Sequence, residues 1–374
     1  MTAASAKPLV LVAAGGTGGH LFPAEALSVA LARRGFVIDL VTDTRAARYG
    51  SAFPARVIHM IPSATLRGRD PISLLRTATV LGFGLARAYL LLGRLKPAAV
   101  VGFGGYPTLP PVLAATFRDI PTVIHEQNGV LGRANRLLST RVRAIATSFS
   151  DVVDRDKRLA AKATRTGNPV RPTVVEAAKV VYSPVDPEAR LQLLVFGGSQ
   201  GARVMADVVP AAIALLPTAV RAHLAVVQQA RDEDVARVRD SYAQLGVPAE
   251  IAAFFPDLPA RMAAAHLVIA RSGASTVAEL AAIGRPAILV PLPHALDQDQ
   301  LANASALAKT GGAVCVVQSE FNPPWLSAEI MRLAGAPEKL VAMAAAARSV
   351  GAIDAADRLA DLVVRVAGLE GQQT

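Results

Sequence analysis

The chain has 374 residues, with 39 Lys plus Arg against 29 Asp plus Glu, a formal net charge of +10. At 52% hydrophobic and 18% charged residues it is too apolar for a disordered chain and long enough for two domains with separate cores. A single cysteine, Cys315, excludes a disulfide framework and any cysteine-based zinc or iron–sulfur site; 5% aromatic content argues against base-stacking platforms, and the positive excess calls for an anionic partner.

The N-terminus, Met1 to Pro8, is short and polar, and the apolar run Leu9 to Ala14 is too short for a signal segment. Pro8 to Ala14 reads as a strand, Phe22 to Arg34 as a helix, and Phe36 to Val41 and Arg56 to Ile61 as strands. A helix is expected over Ile72 to Leu95, then strands at Ala98 to Phe103, Pro121 to His125 and Ala144 to Thr147. Pro97 to Phe117 has the length of a membrane span, but its prolines and glycines cannot satisfy one helix in lipid; it reads as strand, glycine loop and helix. The segment Pro172 to Arg190 mixes prolines with charges and reads as a linker. Strands resume at Leu191 to Phe196, His223 to Gln228, Glu250 to Phe254, Leu267 to Ala270, Ala287 to Pro291 and Ala313 to Val317, and a helical tail covers Ala352 to Gly368. Apolar runs separated by helices indicate buried parallel sheets.

One pattern repeats about half the chain apart. Leu11 to Gly19 reads LVAAGGTGG and Leu193 to Gly201 reads LLVFGGSQG. Each is an apolar strand, a glycine turn and a helix. The repeat predicts two Rossmann-like doubly wound parallel-sheet α/β domains facing a cleft, with ligands beyond the carboxyl ends of the strands.

Polar clusters stand at those ends. Gly15 to His20 (GGTGGH) is neither G-x-G-x-x-G nor a Walker A loop, but its glycines let backbone N–H groups and a helix dipole meet a phosphate. His20 stands where the dipole disfavours imidazolium, so it reads as a neutral base or donor, or as a solvated N-cap. His125-Glu126-Gln127-Asn128 closes an apolar strand, and Gly197 to Gly201 repeats the phosphate-loop logic. In Arg271 to Thr276, Ser275 and Thr276 share a helical face with Glu279. That carboxylate suits ribose hydroxyls; the competing reading is a capping box of Thr276 with Glu279. Asp297, Gln300 and Asn303 form a face suited to sugar hydroxyls. Asp-x-Asp pairs at Asp154/Asp156, Asp232/Asp234 and Asp297/Asp299 give no reason to assign a metal. Arg67, Arg69, Arg76, Arg87, Arg94 and Lys96 surround a leucine-rich stretch, the composition either of an interfacial membrane helix or of a core helix with a basic face.

The motifs GGTGGH, GGY at Gly104 to Tyr106, HEQN at His125 to Asn128, GNPVR at Gly167 to Arg171, GGSQGAR at Gly197 to Arg203, RSGAST-x-x-E at Arg271 to Glu279 and DQDQ-x-x-NA at Asp297 to Ala304 occur in order. This set, from Lys7 to Asn303 and beyond, resembles the bacterial family that adds N-acetylglucosamine to the membrane-bound peptidoglycan precursor. The resemblance implies an inverting glycosyltransferase of the glycosyltransferase B fold, without metal or cofactor. It implies UDP-N-acetylglucosamine as donor, lipid I as acceptor and β-1,4-linked lipid II as product. It also implies a peripheral position on the cytoplasmic, anionic face of the plasma membrane, other cell-wall synthesis proteins as partners, and no nucleic acid. Residues 7–171 would form the acceptor and membrane domain, 172–190 the linker and 191–354 the UDP-sugar domain, with a helix in 355–374 packing back on the first.

By the same resemblance, Ser199 meets the diphosphate and Phe255 meets uracil through its backbone. Ala274, Ser275 and Thr276 form the diphosphate helix start, with Glu279 on the ribose. Gln300 binds the sugar, with Asn303 on its face. Thr17, Gly18, Gly19 and Asn128 approach the donor sugar, and Arg171 helps hold the nucleotide. His20 is the first candidate for activating the acceptor hydroxyl, with Tyr106, His125 and Glu126 as alternatives. Two positions depart from the family: Pro-Thr-Leu-Pro follows Tyr106 where Ser-Gly-Pro is common, and Ala206 stands where asparagine is common.

Overall fold

The structure is a computed structural model. It describes residues 7–15, 18–43, 53–63, 70–184, 186, 189–198, 201–293, 295 and 298–371, with backbone alone at 71–74. The chain divides into two compact units, Met1–Arg171 with Asp354–Thr374, and Pro172–Ile353.

The first unit runs β1 Leu9–Ala13, α1 Gly18–Arg33, β2 Val37–Thr42, β3 Val57–Met60, α2 Pro71–Leu95, β4 Ala99–Gly102, a 3-10 turn Tyr106–Thr108, α3 Leu109–Phe117, β5 Thr122–Glu126, α4 Arg133–Leu138, β6 Ala144–Thr147, α5 Lys157–Ala160 and β7 Ala163–Arg165. The second runs α6 Pro172–Ala177, β8 Leu191–Phe196, α7 Arg203–Ala214, α8 Thr218–Ala222, β9 Leu224–Gln229, α9 Asp232–Gln244, β10 Ala249–Ala252, α10 Leu258–Ala264, β11 Leu267–Ala270, α11 Ala274–Ile283, β12 Ala287–Leu289, α12 Asp299–Lys309, β13 Ala313–Cys315, α13 Pro323–Ala334 and α14 Pro337–Ser349. The last helix, α15 Ala355–Ala367, belongs to the first unit.

The sheets are ordered β3-β2-β1-β4-β5-β6-β7 and β10-β9-β8-β11-β12-β13, and the pairings are parallel throughout. Parallel neighbours need crossover helices, which cover both faces of the sheet. That is why β4 and β11 are apolar and buried along their whole length. The two faces sort by parity. Val10 and Val12 pack with Leu27 and Leu31 of α1 and with Leu359 and Val363 of α15. Leu11 and Ala13 pack with Ala88 and Leu92 of α2 and Val112 of α3.

Three elements depart from the sequence reading. Helix α1 begins at Gly18, four residues before Phe22, because Pro23 imitates a start signal but lies inside the helix. Strand β7 is a three-residue edge, Ala-Thr-Arg, with no apolar run to announce it. The segment expected as a linker is tied to the second unit in its described part. Helix α6 opens it, Arg348 donates to Ala178 O at 2.7 Å, Arg285 donates to Val180 O at 3.1 Å, and Tyr182 Oη donates to His266 O at 3.1 Å. Arg285 bonds only carbonyls, and burial pulls its pKa down to about 10, with Tyr182 acting against that shift and Arg348 adding to it.

Leu359 is fully enclosed between α15 and the sheet. Leu359→Ala is expected to lower the unfolding free energy of the first unit by about 2–5 kcal/mol. Urea titration measures this; a loss below about 0.5 kcal/mol would mean α15 does not seal that core.

Candidate active site

In each sheet the progression of strands reverses beside the central strand, between β1 and β4 and between β8 and β11. The loops leaving two such strands part in opposite directions and open a crevice at their carboxyl ends. The glycine turns and the α11 start lie at these two seams, one in each unit, while the other candidates follow neighbouring strands: His125 and Glu126 end β5, Arg171 follows β7, Phe255 follows β10 and Gln300 follows β12.

In the first unit, Gly15 follows β1, and a Cβ there would lie 2.8 Å from Pro107 Cγ. Glycine therefore lets the first turn lie against the turn after β4. Gly18 and Gly19 are the first two residues of α1 and His20 the third, so His20 is half-buried inside the helix and is not an N-cap. Gly104 and Gly105 have φ of 79° and 74°, a region that favours glycine, and lead into Tyr106, which packs on the α2–α3 core. A Cβ on Gly105 would lie 3.5 Å from His20 Nε2. Thr17 lies outside the described residues.

The HEQN cluster ends β5 and turns inward. The Glu126 carboxylate accepts from Asn128 N at 3.1 Å, Asn128 Nδ2 at 3.1 Å, Gly132 N at 2.9 Å and Asn135 Nδ2 at 2.8 Å. These four bonds build the loop into α4, so Glu126 is a scaffold rather than the acid or base expected as an alternative. His125 is 0% exposed, with Nε2 2.9 Å from Gly167 O. Burial pushes its imidazolium down to about 4, with Gly167 opposing and His20 adding to the shift. An enclosed ring cannot reach an acceptor hydroxyl, so the second alternative also fails for direct chemistry.

Arg171 lies against α1, with its guanidinium 3.9 Å from the Phe22 ring centroid. Burial raises the carboxyl of nearby Glu25, and Arg171 pulls it back. Asn168, in the same motif, is buried with neither its amide oxygen nor its amide nitrogen hydrogen-bonded. Such a group costs about 1–3 kcal/mol. Only burial singles it out from other loop asparagines.

In the second unit, Gly197 N donates to Gln229 Oε1 at 3.1 Å, and a Cβ on Gly197 would collide with Ala202 N. Ser199 lies outside the described residues, as do Asp297, Arg67 and Arg69. The N-cap of α11 is Gly273, and the first helical bond runs from Val277 N to Gly273 O at 3.0 Å. Thr276 is therefore the third helical residue and Glu279 the sixth, which removes the capping-box reading. The N–H groups of Ala274, Ser275 and Thr276 point out of the helix start. The buried Ser275 Oγ has no hydrogen-bond partner. Phe255 is buried beneath the Arg261 guanidinium, 4.3 Å from its ring centroid, so its backbone is the part left to meet a base.

Arg271 is buried and donates to Val290 O at 3.1 Å, Pro291 O at 3.0 Å and Gln318 Oε1; burial lowers its pKa. It joins the ends of β11 and β12 rather than meeting an anion. Gln300 opens α12, with Oε1 accepting from Leu292 N at 3.0 Å. Asn303 is 0% exposed and donates to Ser272 O at 3.2 Å, so it shapes the turn after β11 and cannot touch a sugar. Ala206 lies in the apolar core of the second unit. Among the described residues no group of three or more His, Cys, Asp or Glu is placed to hold a metal ion. Asp156 caps α5 and Asp234 pairs with Arg237 at 2.6 Å.

Residues 10–147 match the glycosyltransferase family 28 N-terminal domain and residues 192–359 its C-terminal domain. The chain belongs to glycosyltransferase family 28. Within it, the chain is 61% identical to the UDP-N-acetylglucosamine--N-acetylmuramyl-(pentapeptide) pyrophosphoryl-undecaprenol N-acetylglucosamine transferase of Rhodopseudomonas palustris strain HaA2, over 98% of this chain and 100% of that one. Identity to the protein of the same name from Bradyrhizobium sp. strain BTAi1 is 58%, over 98% and 100%. The crystal structure of MurG from Acinetobacter baumannii matches with a TM-score of 0.74 at 28% identity, covering 96% of this chain and 99% of that one.

The buried His125 gives a pH dependence with a definite sign. Its folded pKa of about 4 lies below the ordinary 6.5, so between these values the unfolded chain binds more protons. Stability should fall by about 3 kcal/mol as pH drops through that window. Urea titrations at several pH values check this; His125→Gln should flatten the slope, and coincident slopes would overturn it.

Proposed function

We propose that this chain transfers N-acetylglucosamine from UDP-N-acetylglucosamine to the muramoyl sugar of lipid I, forming lipid II in peptidoglycan synthesis. The observation that carries the reading is the shared name of relatives about 60% identical over nearly the whole chain. The geometry of the two seams supports it.

The second unit is the donor side. The helix start at Ala274, Ser275 and Thr276 offers N–H groups and the positive end of the α11 dipole to a diphosphate. The Gly197–Gly201 turn, with Ser199, takes the same anion. Glu279, one turn further along α11, accepts from the ribose hydroxyls, and the Phe255 backbone meets uracil. Gln300 keeps its NH2 group for the sugar, since Leu292 N holds its oxygen. Arg171 supplies a cation for the nucleotide.

The first unit brings the acceptor. His20 takes the proton of the attacking muramoyl hydroxyl. The oxygen forms a bond to the anomeric carbon on the face opposite UDP, and the bond from that carbon to the diphosphate breaks. UDP leaves with the electron pair, so the configuration inverts. Gly18, Gly19, Asn128 and the Gly104–Tyr106 turn line this side.

A lipid-linked acceptor requires a membrane surface, and α2 supplies a suitable face. Leu75–Leu95 is the one helix among the described residues long and apolar enough to cross a membrane. It is held to its own unit by a buried stripe of Thr77, Gly84, Ala88 and Leu92, where a Cβ on Gly84 would collide with Pro62 O. Its outer face exposes Leu75, Phe83, Tyr89 and Leu90 with Arg76, Arg87 and Arg94. Between this helix and the exposed edge strand β3 runs a groove of about 530 Å³, lined by Ile58, Met60, Arg87, Leu90 and Arg94 among others. Apolar side chains beside arginines suit the boundary between acyl chains and anionic headgroups. The enzyme accordingly works peripherally on the cytoplasmic face of the plasma membrane.

Purified protein given lipid I and UDP-N-acetylglucosamine should release UDP and form lipid II. Glu279→Ala should lower kcat/KM for the donor roughly 10–100-fold, the worth of about 1.5–3 kcal/mol in bonds to a carboxylate. No turnover by folded wild-type protein, or an unaltered kcat/KM in the variant, would contradict the reading.

Binding to anionic vesicles should weaken with salt. Neutralising Arg76, Arg87 and Arg94 together should cost about 3 kcal/mol of affinity, at about 1 kcal/mol per cation. Vesicle sedimentation measures it; equal binding to neutral vesicles at high salt would remove the electrostatic part.

A further inference from the structure

A carbonyl oxygen can only accept. Gly167 O lies 2.9 Å from His125 Nε2, so that nitrogen carries the hydrogen. His125 is enclosed and neutral at physiological pH, so its Nδ1 holds a lone pair. Gln127 Nε2 lies 3.0 Å from that Nδ1 and 3.1 Å from the His125 carbonyl oxygen. Both neighbours are acceptors, so both amide hydrogens point toward His125 and the amide cannot be reversed. Its oxygen then faces the other way, 3.3 Å from His20 Nδ1. An amide oxygen cannot donate, so His20 Nδ1 must carry a hydrogen. Gln127 is 1% exposed, which keeps bulk water from competing for these contacts.

We propose that Gln127, oriented by His125 and the Gly167 carbonyl, is a positioning residue that fixes neutral His20 as its Nδ1–H tautomer and so makes Nε2 the basic nitrogen. The Nε2–Cδ2 edge of the ring lies beside Gly105, where a Cβ would stand 3.5 Å from Nε2 and 3.4 Å from Cδ2. His125 and Gln127 thus act on the reaction without touching substrate. They set which nitrogen receives the proton, while Glu126 holds the loop that presents them. The catalytic consequence rests on reading His20 as the base; the tautomer itself does not.

The test reads the tautomer directly. In the full-length protein labelled with 15N-histidine, NMR should show a protonated Nδ1 and a bare Nε2 for His20, and the reverse for His125. Gln127→Met removes the acceptor, and His20 should move toward the Nε2–H form that histidine favours in water. In the same variant kcat for lipid II formation should fall about 10²–10⁴-fold, the range that general-base catalysis contributes. KM for UDP-N-acetylglucosamine should change less than about twofold, because the donor site is intact. Gln127→Glu still offers His20 an acceptor, so in alkaline buffer it should keep the Nδ1–H signature; it also serves if the methionine variant does not fold.

A wild-type His20 in the Nε2–H form would overturn the proposal, as would a tautomer unchanged by Gln127→Met. A variant with altered tautomer but unaltered kcat would overturn its catalytic part. Because the spectrum needs no substrate, a correct tautomer with no lipid II formed would instead count against the transferase reading.

Discussion

Parallel pairing of β1 with both β2 and β4 is the constraint on which the rest of the first unit depends. Parallel strands place all their carboxyl ends on one edge, and the reversal of order at β1 parts the loops there. The same arrangement recurs where β8 pairs with β9 and β11. The turns at these seams must be tight, because a helix starts within a few residues of the strand end. Glycine satisfies this at Gly15 and Gly197, where a side chain would collide with Pro107 or Ala202. The helix starts then supply N–H groups that no intrahelical acceptor uses.

Around these seams burial divides the polar residues into two kinds. Glu126, Asn303 and Arg271 lie out of solvent and are tied to backbone groups or neighbouring side chains, though Arg271 Nε has no hydrogen-bond partner. A buried polar group without partners is costly, so such residues persist as the frame of a loop. His20, only half-buried, remains within reach of a substrate, as does the backbone at the start of α11. His125 and Gln127 belong to the frame by burial and bear on the chemistry through direction, since donation runs one way, from His20 through Gln127 and His125 to the Gly167 carbonyl.

The α2 face follows a different balance. Its inner stripe uses small residues, Gly84 and Ala88, to bring the helix close to its unit, while large apolar residues stand outside among arginines. A soluble core helix would place them the other way round. Composition alone left this open, because the count of leucines and arginines is the same for either face.

Much of the fold was legible in the sequence. Ala144–Thr147, Leu191–Phe196 and Leu267–Ala270 have the bounds expected from their apolar runs, and the repeated glycine turns marked both seams. Short or polar elements such as β7 and the helix following Arg171 were not legible, since tertiary contacts stabilise them rather than periodicity. The ordered motifs also pointed to the family whose two domain models match residues 10–147 and 192–359. Sequence could rank His20 above His125 but not exclude either, and could not separate Gln300 from Asn303, because each pair shares a residue chemistry and stands at strand ends. Only the tertiary structure did so: burial, and the positions of Gly167 O and Ser272 O, decide whether a polar side chain faces a substrate or the protein's own backbone.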